Sequence, residues 1–305
     1  MATRRTRLWF AIAILAAFQA DRAQALDILL TNDDGFTSVG IQTLKAALQG
    51  AGHNVTMVAP FGERSGSSAA INLAPVSPVQ VGAQDYALYA LEELITGDRA
   101  PVAATPATCV LFGLTVTLGG VAPDLIVSGT NVGANVGTAT VFSGTVGATT
   151  AGNAGDVPSI AFSSDAPDVP EDDPAYAAHF ANVAAFAVDL IAHLESKPGA
   201  LADEPGLLPP GVVLNVNHPT VAPEDVQGVA LTVQGQASSA SIVFVPIGGD
   251  IYVPAVGPGS GDEADVKDSD TEALAAGYIT VTPIDSDMTA SPADRSRFQS
   301  VLSGL

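Results

Sequence analysis

Apolar residues along this chain fall into two kinds of stretch: short unbroken runs, and longer segments in which they return every three or four positions. Ile28-Leu29-Leu30, Asn54 to Ala59, Asp124 to Ser128, Ser159 to Ser163 and Val212 to Val216 are of the first kind, the pattern of strands buried on both faces. Ile41 to Leu48 and Tyr176 to Leu194 are of the second, the latter with Phe180, Val183, Ala184, Ala187, Leu190, Ile191 and Leu194 on one stripe, and both read as helices. Thr108 to Thr117 is apolar and reads as another. The first strand, the first helix and the second strand, with Gly50-Ala51-Gly52-His53 as the helix stop, form a βαβ unit whose crossover is expected to be right-handed. This alternation predicts an open α/β sheet. Residues 74–104, interrupted by Pro75, Pro78 and Pro101, read as short strands or a hairpin. From about Gly228 the period changes. Val229 to Val233, Ser241 to Val245 and Asp250 to Val253 alternate as antiparallel strands do; a short helix beginning at Asp268, a strand over Gly277 to Pro283 and a helix over Ala293 to Leu302 follow. This portion reads as a β-rich extension, not a second domain. His53, His179 and His193 read as surface residues, and Cys109, inside Cys-Val-Leu-Phe, as a small core residue.

The first 25 residues stand apart. Arg4, Arg5 and Arg7 precede an apolar run from Leu8 to Phe18, and Ala23-Gln24-Ala25 supplies small residues for a signal peptidase. These are the three parts of a secretory signal peptide. The mature protein is then expected to begin near Leu26 and to be exported, periplasmic or secreted. No later stretch reads as long and apolar enough to cross a bilayer. Removing the leader leaves 7 basic and 31 acidic residues, a balance that excludes a protein coating nucleic acid, which needs basic surface to neutralise phosphates. A small anionic substrate would have to be held by a metal or by backbone N–H groups. With 47% hydrophobic and 14% charged residues among 305, a sizeable core is possible, and a single Cys excludes both an intramolecular disulfide and a cysteine-rich zinc site.

Polar residues collect where the apolar runs stop. Thr31-Asn32-Asp33-Asp34-Gly35 follows the first strand; two adjacent carboxylates there repel unless a hard cation shares them, the alternative being a solvated Asx-rich turn. Phe61 to Ser68, after the second strand, is rich in hydroxyls and Gly and carries Arg64; it can supply a neutral oxygen ligand and an anion contact, or serve as a polar connector. Gly129-Thr130-Asn131-Val132-Gly133-Ala134-Asn135 follows the Asp124 strand, and Ser143-Gly144-Thr145 opens a run of small residues. At a helix start, free N–H groups and hydroxyls of that triplet can bind phosphate or simply cap the helix. Neither a Walker motif nor a dinucleotide fingerprint is present.

Taken in order, these segments resemble the SurE family of survival proteins, metal-dependent nucleotide phosphatases. The resemblance is carried by Ile28 to Gly35 with Gly40 to Leu44, Val58-Ala59-Pro60 with Arg64 to Ser68, Thr105-Pro106 with Cys109-Val110, Pro123 to Asn135, and Ser143 to Val146. Pro210-Gly211 with Leu214 to Asn217, and Asp268 to Asp270 with Gly277 to Pro283, are similar to the closing segments. It implies a Rossmann-like, mostly parallel sheet with a β-rich C-terminal extension that exchanges between subunits, hence a homodimer or homotetramer. It also implies that Asp33, Asp34, Ser65 and Asn131 hold one divalent cation, Mg²⁺ or Mn²⁺, and that Asn135, Ser143, Gly144 and Thr145 bind phosphate. The implied reaction is hydrolysis of nucleoside monophosphates, a 5′/3′-nucleotidase activity. Asp33 would position the attacking water, or itself attack phosphorus. A broad exported acid phosphatase and an inactive nucleotide-binding relative are the alternatives. The chain departs from the family pattern at Ala104, Ala107 and Thr108, where Gly-Thr-Pro-Thr-Asp-Cys-Val is usual, in a longer stretch over Glu92 to Ala103, at Ala151 in place of a glutamate, and in Ser/Ala residues over 237–241 in place of arginines.

Overall fold

The computed structural model describes residues 24–97, 104–197, 199–201, 206–237, 240–259, 265–289 and 291–302. The leader segment therefore lies, but for its last two residues, outside the described residues. In chain order the elements are β1 (Asp27–Thr31), α1 (Val39–Gly50), β2 (Asn54–Pro60), β3 (Val76–Gln80), β4 (Asp85–Ala90), α2 (Leu91–Thr96), α3 (Pro106–Phe112), β5 (Leu125–Val132), α4 (Gly144–Asn153), β6 (Ser159–Ser164), α5 (Pro174–Glu195), β7 (Val212–His218), β8 (Val229–Leu231), β9 (Ala240–Gly248), β10 (Ile251–Pro258), α6 (Asp270–Ala275), β11 (Ile279–Asp285) and α7 (Pro292–Leu302).

Nine strands form one sheet in the order β3-β4-β2-β1-β5-β6-β7-β11-β8, and β9 and β10 form a separate hairpin. The run from β4 to β7 is parallel throughout. This is the mostly parallel α/β sheet with extra C-terminal strands that the apolar runs predict. β1 alternates strictly: Ile28 and Leu30 join the core under α1 and α5, while Leu29 faces the opposite layer with Cys109 and Val110. Cys109 is fully buried, as a small core residue would be. Chain order reverses at β1, which has β2 on one side and β5 on the other. Such a reversal opens a crevice at the carboxyl ends of the strands.

Several expectations need correction. β8 runs parallel to β11, not antiparallel; a three-residue strand carries too little pattern to specify its partner's direction. The helix read as starting at Thr108 begins at Pro106, where Thr105 caps it, and widens into a π turn over Gly113–Thr117. α5 is in fact long and apolar enough, by length and composition, to cross a membrane. It instead seats Tyr176, Phe180, Val183, Ala184, Ala187 and Ile191 in the core.

Two histidines read as surface are buried. His53 accepts a hydrogen bond from the Leu26 N–H at 3.2 Å through Nδ1. His179 bonds the Ser164 hydroxyl at 2.8 Å, with its ring 5.9 Å from that of His218. Burial holds the imidazoles of both His179 and His218 below their ordinary 6.5. As pH falls through about 6.5, the unfolded chain binds protons that the folded chain resists, so these two residues lower stability on acidification. Thermal melts from about pH 7.5 to about pH 5 should therefore give a Tm that falls less steeply in His179→Gln than in the unaltered protein; equal slopes would contradict this.

Candidate metal and phosphate site

The polar segments noted in the sequence meet at the crevice between β1 and β5. Asp33 follows β1 directly and is 2% exposed. Its Oδ1 accepts a hydrogen bond from the Thr145 hydroxyl at 2.6 Å, and its backbone oxygen accepts one from the Arg64 N–H at 2.6 Å. Asp34, half-buried, accepts a bond from the Val132 N–H at 3.3 Å through Oδ2. Asn32 braces the turn, donating to the Gly35 carbonyl and to the Ser38 hydroxyl, both at 2.9 Å. Gly35 has φ +99°, and a Cβ there would lie 2.9 Å from the Gly62 Cα. Glycine thus permits both the turn and the close approach of the second loop.

The two carboxylates are in energetic conflict. Burial pushes the Asp33 carboxyl up to about 6, although the Thr145 hydroxyl pulls it back and the charge of Glu63 adds to the rise. Asp34 is pushed up to about 8 by burial, then by the charge of Asp33 and of Glu63. Like charges this close favour a proton or a cation between them.

Asn131, in β5, is 6% exposed. Its Nδ2 donates to the Gly133 carbonyl at 2.6 Å, which leaves Oδ1 buried and without a hydrogen-bond partner. A buried orphan amide oxygen is costly unless something bonds to it. Ser65 lies exposed on the loop after β2, one residue beyond the Arg64 N–H that holds Asp33, and its own N–H donates to the Glu63 carboxylate at 2.5 Å. Among the described residues no three His, Cys, Asp or Glu are grouped so that they alone could hold a metal ion. What the crevice brings together is two carboxylates and the buried amide oxygen of Asn131, oxygen donors of the kind that suit a hard cation.

The residues read as phosphate ligands are partly committed elsewhere. Ser143 caps α4, its Oγ accepting from the Val146 N–H at 3.1 Å. Thr145 turns both its hydroxyl and its N–H toward Asp33. Gly144 is pressed against the same carboxylate, for a Cβ there would lie 2.7 Å from the Ser67 Oγ and 2.9 Å from the Asp33 Oδ2. The start of α4 is thus aimed at Asp33, its dipole favouring the negative form. Asn135 donates through Nδ2 to the Ser163 hydroxyl at 2.9 Å.

The main chain of Asn135 is held from β7: Asn217 accepts from the Asn135 N–H at 2.7 Å, and Asn215 and Asn217 donate to its carbonyl at 2.7 and 3.2 Å. Asn215 and Asn217 are visible in the sequence as asparagines closing a strand; their grip on Asn135 is not. Asp270 holds the far end of the same loop, its Oδ1 accepting from the Gly137 N–H at 3.0 Å and the Gly235 N–H at 2.8 Å. Glu63, the third acid near the pair, stands beside Arg64-Ser65 in the sequence and carries no other signal.

The profile of the family described as "Survival protein SurE" matches residues 28–241. The chain belongs to the SurE family. It is 36% identical over 269 residues to a protein of Yersinia enterocolitica serotype O:8 / biotype 1B named "5′/3′-nucleotidase SurE", which covers 87% of this chain and 93% of that one. It is 35% identical over 272 residues to a "5′-nucleotidase SurE" of Actinobacillus pleuropneumoniae serotype 5b, with 87% and 96% covered. Among solved structures, the SurE protein of Aquifex aeolicus superposes with a TM-score of 0.69 at 28% identity, covering 90% of this chain and 98% of that one.

Proposed function

We propose that this SurE protein is a phosphomonoester hydrolase acting on nucleoside 5′- and 3′-monophosphates, dependent on one divalent cation. The observation that carries the cation is the buried Asn131 Oδ1 without a partner, beside two carboxylates that resist sharing the site as anions. Asp33, Asp34, Ser65 and Asn131 would hold Mg²⁺ or Mn²⁺. Bound there, the cation would neutralise the phosphate and acidify a water. Asp33, fixed by Thr145 from α4 and by the Arg64 N–H, would orient an attacking water and take its proton as the water oxygen bonds to phosphorus, while the P–O ester bond breaks and the departing nucleoside oxygen takes a proton from solvent. Asn135, Ser143 and Gly144 line the phosphate side, where polar hydrogens stabilise charge on the equatorial oxygens. The relatives named nucleotidases support the nucleotide as substrate. The test is a panel of 5′- and 3′-nucleotides, sugar phosphates and polyphosphate: nucleoside monophosphates should be turned over with the highest kcat/KM. A flat profile would favour a broad acid phosphatase.

We infer export from the three-part leader over residues 1–25. Expression in a two-membrane bacterium should yield a protein beginning at Leu26 in the periplasm or medium; an unprocessed cytoplasmic product would contradict it.

We also propose a homodimer or homotetramer. Among the described residues β9 and β10 pair as strands only with each other, and the hairpin exposes Val243, Phe244, Val245, Ile247, Ile251 and Tyr252. An apolar arm exposed on both faces is the kind of surface a second copy covers. Sedimentation should find an oligomer for the unaltered protein and a monomer after replacing 240–258 with a short Gly/Ser link. A monomeric unaltered protein at micromolar concentration would contradict it.

A further inference from the structure

We propose that Glu93, on α2, is a positioning residue: acting through Arg64, it fixes the Ser65 loop against Asp33 and so sets the affinity of the site for its cation. The inference rests on the cation-site reading above.

Arg64 has two roles in one residue. Its main-chain N–H donates to the Asp33 carbonyl at 2.6 Å, and the next residue is Ser65. Its side chain, 4% exposed, runs away from the crevice into the molecule. There Nη2 pairs with the Glu93 Oε1, Nη1 donates to the Glu63 carbonyl at 2.8 Å, and Nε donates to the Ala104 carbonyl at 3.3 Å. Glu93, 1% exposed, is itself fixed, its Oε2 accepting from the Ala90 N–H at 2.8 Å. The guanidinium therefore ties the loop to α2 and to the lead-in of α3, and its planar fork makes the tie directional. A buried guanidinium requires a carboxylate.

On α3 the Thr108 hydroxyl accepts from the Asn72 N–H at 2.8 Å, and the acid facing Arg64 is the one supplied by α2. Ser65 and Glu63 flank Arg64 directly. Any slackening of its side chain moves a proposed ligand and a neighbouring carboxylate together, and partners that orient ligands commonly govern affinity about tenfold or more.

A purely structural staple would give a different result. The mature protein, stripped with chelator, is compared with Glu93→Gln and with the double variant Arg64→Met/Glu93→Leu. The Kd for Mn²⁺ is read by electron paramagnetic resonance of the free ion, beside the Tm. Glu93→Gln leaves a charge facing a neutral amide and should lower Tm by roughly 5–10 °C. The double variant removes the unpaired charge and should melt above Glu93→Gln, yet below the unaltered protein because the Ala90 N–H and the Glu63 and Ala104 carbonyls lose these partners. Both should nevertheless bind Mn²⁺ about tenfold more weakly. If Glu93→Gln fails to fold, the double variant decides alone. A double variant that binds Mn²⁺ as tightly as the unaltered protein, whatever its Tm, would overturn the proposal. Absence of Mn²⁺ binding by the unaltered protein would overturn the cation site itself and this inference with it.

Discussion

Replacing Asp33 by Asn should lower phosphate release by roughly 10²- to 10⁴-fold, the range for losing a group that ligates, orients and accepts a proton. The side chain keeps its shape, so the amide oxygen introduced there can still accept from the Thr145 hydroxyl as Asp33 does at 2.6 Å. What disappears is one of the two anionic oxygen donors and the proton acceptor. The fold should not suffer. Burial already opposes the charge on Asp33, so the metal-free variant should melt at or above the Tm of the unaltered protein. Loss of activity with an unchanged or raised Tm is the signature of a functional carboxylate held against its own preference. Retained turnover would remove Asp33 from the chemistry.

Gly144→Ala is the second large effect, and it acts by space instead of charge. The added methyl would lie 2.9 Å from the Asp33 Oδ2 and 2.7 Å from the Ser67 Oγ. Asp33 cannot withdraw easily, since it is held by Thr145 from the same helix start. Displacing the carboxylate by about 1 Å should cost about 10²-fold in kcat/KM. Gly50→Ala is the control: it ends α1 with nothing within 4 Å of the new methyl, and activity should be unchanged. Equal activity in both variants would show that α4 does not press on the reacting group.

How far the sequence foretold these arrangements depends on the kind of information each needs. β1, β2, β5, β6 and β7 are legible because unbroken apolar runs mark strands buried on both faces. The ends of those strands are legible too, which is why Asp33, Asp34 and Asn131 stand out before any coordinates. The direction of β8 is not, since a short alternating segment fits either orientation. His179 misleads for a different reason. A polar residue on a helix reads as exposed, yet it lies three residues after Tyr176 and four before Val183, squarely on the buried stripe; the spacing contained the answer. The double commitment of Thr145 to Asp33, the grip of Asn217 on Asn135 and the Arg64–Glu93 pair join residues 29 to 112 positions apart. They depend on how loops approach once the sheet has formed, and no local pattern encodes that.

The central claim is that a divalent cation at Asp33, Asp34, Ser65 and Asn131 supports hydrolysis of nucleotide esters. It is tested most directly by phosphate release from a nucleoside monophosphate with the mature protein, first stripped with chelator and then given Mg²⁺ or Mn²⁺. The account predicts no release in chelator, recovery on adding cation, and no recovery in Asp33→Asn. Undiminished release in excess chelator, or full recovery in the variant, would contradict it.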